Sequence, residues 1–282
     1  MSPPPRRRTL RGLSAHGFHR VVWHEWGDAD QPRVAICVHG LTRTGRDFDT
    51  LGAALASTHR VLAIDMPGRG DSEWLADKRD YTFATYLTTL TALIAASGAD
   101  SVDWIGTSMG GLLGMVVAAQ PGSPVRRLVV NDVGPQIEAV ALARIGDYLG
   151  RDPLFDSYEA IRAYTRSISP FGPLTDADWD HLTRTVVSQR ENGRWGFRYD
   201  PGIGVPFRES AAPSDLWPVW DAIRCPTLLL RGAQSDLLSA ATAQSMAQRG
   251  PRAMLVEFEG VGHAPSLMAP DQIDAVTGFL RA

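Results

Sequence analysis

Cysteine is scarce: the 282 residues hold two, Cys37 and Cys225. One lies inside an apolar run and the other just before Pro226. Both read as small core or edge residues, which excludes a disulfide framework. Long apolar runs are also missing. No stretch reaches the ~18 consecutive apolar residues of a membrane-spanning helix, so a membrane is not an expected partner. Charge of one sign is not in excess either. A net charge of -3 carries no polyelectrolyte-binding signature, and nucleic acid is not expected as a partner. Metal-ligand patterns are absent: there is no HExxH and no clustered Cys/His set, and His16-x-x-His19 alone is a weak pair. The phosphate-cradling patterns GxxxxGK[ST] and GxGxxG are absent too. Neither a metal nor a cofactor is expected. The opening "MSPPPRRRTLRGL" is followed by polar residues and not by the apolar segment of a secretory signal. Residues 1–12 therefore read as a solvated, disordered tail, and the expected location is the cytoplasm.

What is present is enough apolar material for a large core, 44% of the chain. It falls into short continuous runs: "RVAICV" (33–38), "RVLAID" (60–65), "SVDWIG" (101–106), "RRLVVND" (126–132), "PTLLLRG" (226–232) and "AMLVEFEG" (253–260). Continuous rather than alternating runs suit strands covered on both faces. "FHRVVWHEWG" (18–27) suggests one or two antiparallel edge strands before them. Helical patterns lie between the runs. One opens at a Thr82 cap, sets Leu87, Leu90, Leu93 and Ile94 on one face and ends at Gly98. Others cover 109–120 and the last residues of the chain. The expected fold is α/β, with a mostly parallel sheet and helices on both faces.

The alternation breaks between about Pro135 and Ala212, where no strand run appears. Residues 156–167 and 175–190 read as amphipathic helices capped by Asp156 and Thr175. The expected organisation is a core first part at 13–134, a helical insertion at 135–212 and a core second part at 213–282. Helix-spaced aromatics usually pack a core. Tyr148, Phe155, Phe171, Trp179 and Phe207 are candidates to line an apolar pocket as well.

"GTSMGG" (106–111) places Ser108 between a strand run and a helix. A sharp strand-to-helix turn strains its middle residue and crowds its neighbours, so glycines must flank it. The turn exposes the serine hydroxyl at a helix N-terminus, where a developing anion is favoured. A serine attacks only if a base takes its proton. Six of the seven histidines read as tail, packing or loop-ordering residues; His39, in "VHGLT", is one of the last kind. His263, in the loop "GVGHAP" after the last strand run, is the candidate base. The imidazole then needs an acid to fix its tautomer. Asp236 in "RGAQSDLLS" is the favoured residue, and Asp132 in "VVNDVGP" competes. Asp65 also ends a strand run and reads as structural. Two backbone N–H groups commonly hold the oxyanion; those of Met109 and Leu41 are the candidates.

"VHGLTRTGRDFD", "DMPGRGDS", "GTSMGG", "RGAQSD" and "GVGHAP", in that order, resemble the α/β-hydrolase fold family. The resemblance runs from about residue 15 to the end. It implies a cap where the strand pattern breaks, with a substrate pocket between cap and sheet. Ser108, Asp236, His263 follow the family's triad order, although some members carry the acid after an earlier strand. A serine at the elbow argues against the dehalogenase and epoxide hydrolase relatives, which use aspartate there. The resemblance implies a carboxylesterase-like serine hydrolase, acting on a small-molecule ester through an acyl-enzyme. Two other readings stay open: a carbon–carbon bond hydrolase of ring-cleavage products, and a catalytically silent ligand-binding member. The first of these relatives carries a glycine-rich, Asn-containing loop where this chain has "LTRTGRDF".

Overall fold

The structure, a computed structural model, describes residues 4–209 and 215–282. The hairpin β1 (Arg6–Ser14) and β2 (Gly17–Trp26) comes first. There follow β3 (Val34–Val38), α1 (Asp49–Leu55), β4 (Arg60–Asp65), α2 (Phe83–Ser97), β5 (Val102–Thr107), α3 (Met109–Ala118) and β6 (Val125–Asn131). The alternation is then interrupted by α4 (Ala139–Tyr148), α5 (Tyr158–Ile168), α6 (Asp176–Arg184), β7 (Val187–Gln189), β8 (Trp195–Phe197) and α7 (Gly204–Glu209). It resumes with α8 (Trp217–Ala222), β9 (Thr227–Gly232), α9 (Ala240–Gln248), β10 (Met254–Phe258) and α10 (Pro270–Arg281). All strands except β7 and β8 join one sheet in the order β1-β2-β4-β3-β5-β6-β9-β10. Pairing is parallel from β4 to β10, and β2 runs antiparallel to both β1 and β4.

Each continuous apolar run feeds two cores. Val34, Ile36 and Val38 of β3 face one cluster, which α2, α3, α8 and α9 cover with Leu90, Leu113, Trp220 and Met246. Ala35 and Cys37 face the other, covered by Leu51 and Leu55 of α1 and Val276 and Leu280 of α10. Strand side chains alternate between faces, so a sheet with helices on both sides needs apolar residues at every position. This is the mostly parallel α/β sheet the sequence leads one to expect.

Two expectations are corrected. Residues 6–14 are not a disordered tail but an edge strand, paired along its length from Arg6↔Glu25 to Ser14↔Gly17. Its arginines lie at the sheet edge, where charge is tolerated and discourages further strand pairing. Arg6 pairs with Glu25 at 3.0 Å and Arg7 with Asp71 at 3.1 Å. The insertion also holds strands: β7 and β8 form a hairpin from Val187↔Phe197 to Gln189↔Trp195. Strands of three residues are too short to leave a period. The expected helix over 175–190 accordingly stops at Arg184. Thr82 and Thr175 do cap helices, Thr175 within a capping box. Before α5 the cap is Ser157, while Asp156 pairs with Arg194. The expected boundary at 212/213 lies outside the described residues.

Backbone and side chains tie the insertion to the sheet. Gly70 N–H donates to the Arg198 carbonyl at 2.8 Å, and Asp200 N–H to that of Gly68 at 2.8 Å. The buried Asp200 carboxylate accepts the Tyr81 hydroxyl at 2.7 Å and pairs with Lys78. Deeper in the core, His39 follows β3. Its Nε2 accepts the Met66 N–H at 3.0 Å and its Nδ1 lies 2.6 Å from the Gly40 carbonyl. An imidazole that accepts on one nitrogen and donates on the other is neutral. Complete burial reinforces this, holding the His39 pKa down at about 4.

Two outcomes follow for stability. Trp104 is fully buried and its indole N–H donates to the Gly110 carbonyl at 3.0 Å. Trp104→Ala should lower the unfolding free energy by about 3–5 kcal/mol, read from the urea midpoint. The unfolded His39 titrates near its ordinary 6.5 and takes up a proton that the native imidazole refuses. Its contribution to stability is therefore intact above about pH 6.5 and declines as pH falls toward 4, by up to about 3 kcal/mol. His39→Gln keeps an acceptor for the Met66 N–H but cannot titrate. Its urea midpoint should change less than wild type between about pH 7 and pH 4.5; an equal change would assign the pH dependence to other groups.

Candidate active site

At the end of β5 the chain turns into α3 through Ser108, which holds φ 53° and ψ -115°. Positive φ is costly for a residue with a side chain, and the flanking glycines make the turn possible. A Cβ on Gly106 would lie 2.1 Å from the Gly110 carbonyl oxygen, and one on Gly110 would lie 2.0 Å from that of Val38. Backbone thus approaches backbone on both sides of the serine, and its hydroxyl stands clear at the head of α3.

His263 reaches this hydroxyl from the loop after β10. Its Nε2 lies 3.0 Å from Ser108 Oγ. The loop is held at several points. Asn131 Nδ2–H donates to the Pro265 carbonyl at 2.9 Å and to Thr107 Oγ1 at 3.0 Å. Gly262 N–H donates to the Pro170 carbonyl at 2.7 Å. On the far side of the ring, Nδ1 lies 2.7 Å from Asp132 Oδ2. Asp132 follows β6 directly, at φ 56°, with no solvent exposure. Its carboxylate also accepts the Gly232 N–H at 3.0 Å and the Ser235 hydroxyl at 2.7 Å. A buried carboxylate with three donors stays in one orientation.

The structure therefore brings Ser108, His263 and Asp132 together, and Asp236 does not stand where the sequence reading put it. Asp236 is 40% exposed and gives both oxygens to Arg144 of α4, at 2.6 and 2.9 Å. The cause is local. Ser235 turns inward to Asp132, and its oxygen accepts the N–H groups of Leu237 and Leu238 at 3.3 and 3.2 Å. Both leucines are buried, and Asp236 is left facing outward. Ser235 itself went unnoticed in the sequence. The only signal was its place beside an acid in a strand-end turn.

Leu41 and Met109 line the same cavity as Ser108 and His263. Met109 is the first residue of α3, so its N–H has no acceptor within the helix. Neither its N–H nor that of Leu41 donates to a protein group among the described residues. The Leu41 carbonyl accepts Arg69 Nε–H at 2.9 Å, and Arg69, fully buried, also donates to the Pro67 carbonyl and the Tyr86 hydroxyl at 2.7 Å each. Asp65 occupies a structural position. It accepts the N–H groups of Gly45 and Asp71 at 2.7 and 2.9 Å and lies 3.2 Å from His24 Nε2. With Asp71 these residues make the one cluster of metal-ligand type among the described residues. Asp65's oxygens already serve the backbone there.

Over the serine lies a cavity of about 1080 Å³. Its walls are mostly apolar: Ile137, Leu142, Tyr148, Phe171, Val186 and Phe197 come from the segment between β6 and α8. Of the five aromatics singled out in the sequence, Tyr148 and Phe171 line it. Phe155 packs on Tyr164 at 5.1 Å and Trp179 stacks on Phe171 at 5.9 Å, one layer back. The side chain of Phe207 lies outside the described residues. No described helix is long and apolar enough to cross a membrane.

Residues 35–276 match the family described as the Alpha/beta hydrolase family. The chain is 46% identical to a 3-hydroxybutyrate-oligomer hydrolase of Cupriavidus necator, over 99% of each chain. It is 31% identical to an esterase of Mycobacterium tuberculosis, over 84% of this chain and 76% of that one. Among solved structures, an alpha/beta hydrolase from Novosphingobium aromaticivorans superposes with a TM-score of 0.89 at 36% identity, covering 100% of this chain and 99% of that one. With the elbow at Ser108, the parallel sheet and the match across most of its length, the chain belongs to the alpha/beta hydrolase family.

Proposed function

We propose that this chain, an ester-bond hydrolase, cleaves short oligoesters of 3-hydroxybutyrate through an acyl-enzyme on Ser108. The observation that carries the chemistry is the relay of 3.0 and 2.7 Å from Ser108 Oγ through His263 to buried Asp132, opening into the cavity. The substrate class rests on the similarity to the C. necator hydrolase along the whole chain. The cavity is consistent with it. At about 1080 Å³ it is at or above the upper end of the ~300–1,000 Å³ typical of small-molecule pockets. Its apolar walls suit a chain of methyl-branched esters.

The steps follow from the positions. Ser108 Oγ attacks the ester carbonyl carbon while His263 Nε2 takes its proton. Asp132 accepts the Nδ1–H and stabilises the imidazolium. The N–H groups of Leu41 and Met109 receive the developing oxyanion. The carbon–oxygen bond to the alcohol breaks, and His263 returns its proton to the departing oxygen. Water then attacks the acyl-enzyme, giving its proton to His263. The carboxylic acid leaves and Ser108 recovers its hydrogen. Asp236, paired with Arg144 at the cavity rim, takes no part.

Release of 3-hydroxybutyrate from its dimer and trimer by purified protein tests this reading. Ser108→Ala should remove turnover and leave the fold intact. Turnover of simple p-nitrophenyl esters with none of the oligomers would keep the hydrolase and discard the substrate. The acid is tested separately. Asp132→Asn should lower kcat by about 10³–10⁴, the scale seen when a triad carboxylate is neutralised. Asp236→Asn should stay within about threefold of wild type, the range of a surface pair. The reverse ranking would move the acid to the loop after β9.

A further inference from the structure

Three arginines, Arg43, Arg144 and Arg151, line the cavity, and Asp47 is the only carboxylate among the described lining residues. Two of the three are already committed. Arg43 gives Nε–H and a terminal N–H to Asp47 at 2.7 and 2.6 Å, and reaches the Leu182 carbonyl at 3.3 Å. Arg144 grips both oxygens of Asp236. Arg151 differs. Its guanidinium makes no hydrogen bond or ion pair with any described residue. The neighbouring carboxylate, Asp152, is taken by Arg190 at 3.2 Å. Yet the backbone of Arg151 is fixed: its N–H donates to the Tyr148 carbonyl at 3.2 Å, and its carbonyl accepts the Tyr199 hydroxyl at 3.2 Å. A solvent-exposed cation is thus anchored at its root and unpaired at its head, on the wall of a mostly apolar cavity whose one acid among the described residues is already paired.

An oligomer of a hydroxy acid carries, at neutral pH, one carboxylate at one end and one hydroxyl at the other. We propose that Arg151 is the carboxylate subsite of this cavity. It binds the terminal carboxylate of an anionic oligoester, while an ester bond further along the chain lies at Ser108. This rests on the ester-hydrolase reading above. A guanidinium fork matches a carboxylate bidentately. The polarity of cleavage follows. The unit that carries the free carboxylate holds the scissile ester through its hydroxyl oxygen, so it departs as the alcohol and takes the proton from His263. The rest of the oligomer remains as the acyl group on Ser108 until water releases it. The enzyme therefore shortens its substrate from the carboxylate end.

The experiment compares the 3-hydroxybutyrate trimer with its methyl ester, in which the terminal charge is removed. Wild type should favour the free acid by about 5–10-fold in kcat/KM, the upper range for a bidentate pair at an exposed guanidinium. In Arg151→Gln that preference should all but vanish, the loss appearing in KM for the acid; Arg151→Lys should keep part of it. Far-UV circular dichroism checks that the variants are folded. Products from a trimer labelled in its carboxylate-end unit should show labelled monomer first. A wild-type enzyme indifferent to the methyl cap, or an Arg151→Gln variant that keeps the preference or loses both substrates equally, overturns the subsite while leaving the ester-hydrolase reading in place. Failure of wild type to cleave either trimer, with p-nitrophenyl esters still cleaved, overturns the substrate class and the subsite together.

Discussion

A single buried carboxylate organises the site. Asp132 is shut from water and surrounded by the Gly232 N–H, the Ser235 hydroxyl and the imidazole of His263. Those donors come from three places in the chain: the end of β9, the turn after it and the loop after β10. A charge without them would be too costly to bury. The requirement to satisfy Asp132 therefore fixes how the later strands close against β6. His263 acquires its direction from that closure, and Ser108 acquires its base from His263.

The cavity wall depends on a second set of ties. Asp200 meets Tyr81 and Lys78, backbone bonds join 68–70 to 198–200, and Arg144 meets Asp236. Lys78 meets Asp200 from a partly exposed position, while the Tyr81–Asp200 link has high value because both groups are buried. The exposed Arg144–Asp236 pair has little. The insertion is thus fixed firmly at one side of the cavity and lightly at the other. Mostly apolar surface lines the space between, and the exposed, unpaired Arg151 stands at its wall.

Much of the fold was legible because the strand runs are largely continuous in apolar residues rather than alternating, as a sheet covered on both faces requires. Ser108, His263, Leu41 and Met109 sit in short turns whose glycines and order are visible in the sequence, and the structure gathers all four at one cavity. The acid was not legible in the same way. Asp132 and Asp236 both follow strand runs, and the choice between them depends on which side of one turn faces inward. Ser235 decides that through bonds to residues 103 positions away and two or three positions on. The strand at 6–14 was hidden by its arginines, which mimic a solvated tail until a partner strand is supplied. The hairpin β7–β8 left no pattern because three residues do not make a period. The pocket-lining aromatics were indistinguishable from those one layer back, since both kinds bury the same face.

Thr107 and Asn131 are register partners in the sheet, and Ser108 N–H donates to the Asn131 carbonyl at 2.9 Å. Ser108 and Asp132 are therefore the first residues past the ends of two neighbouring parallel strands. The strands they leave are held about 4.8 Å apart, a spacing that keeps the two turns side by side. Only the imidazole arrives on a loop. Fraying of the outer strand β10 would therefore move His263 more than it moves Ser108 or Asp132, which close strands inside the sheet.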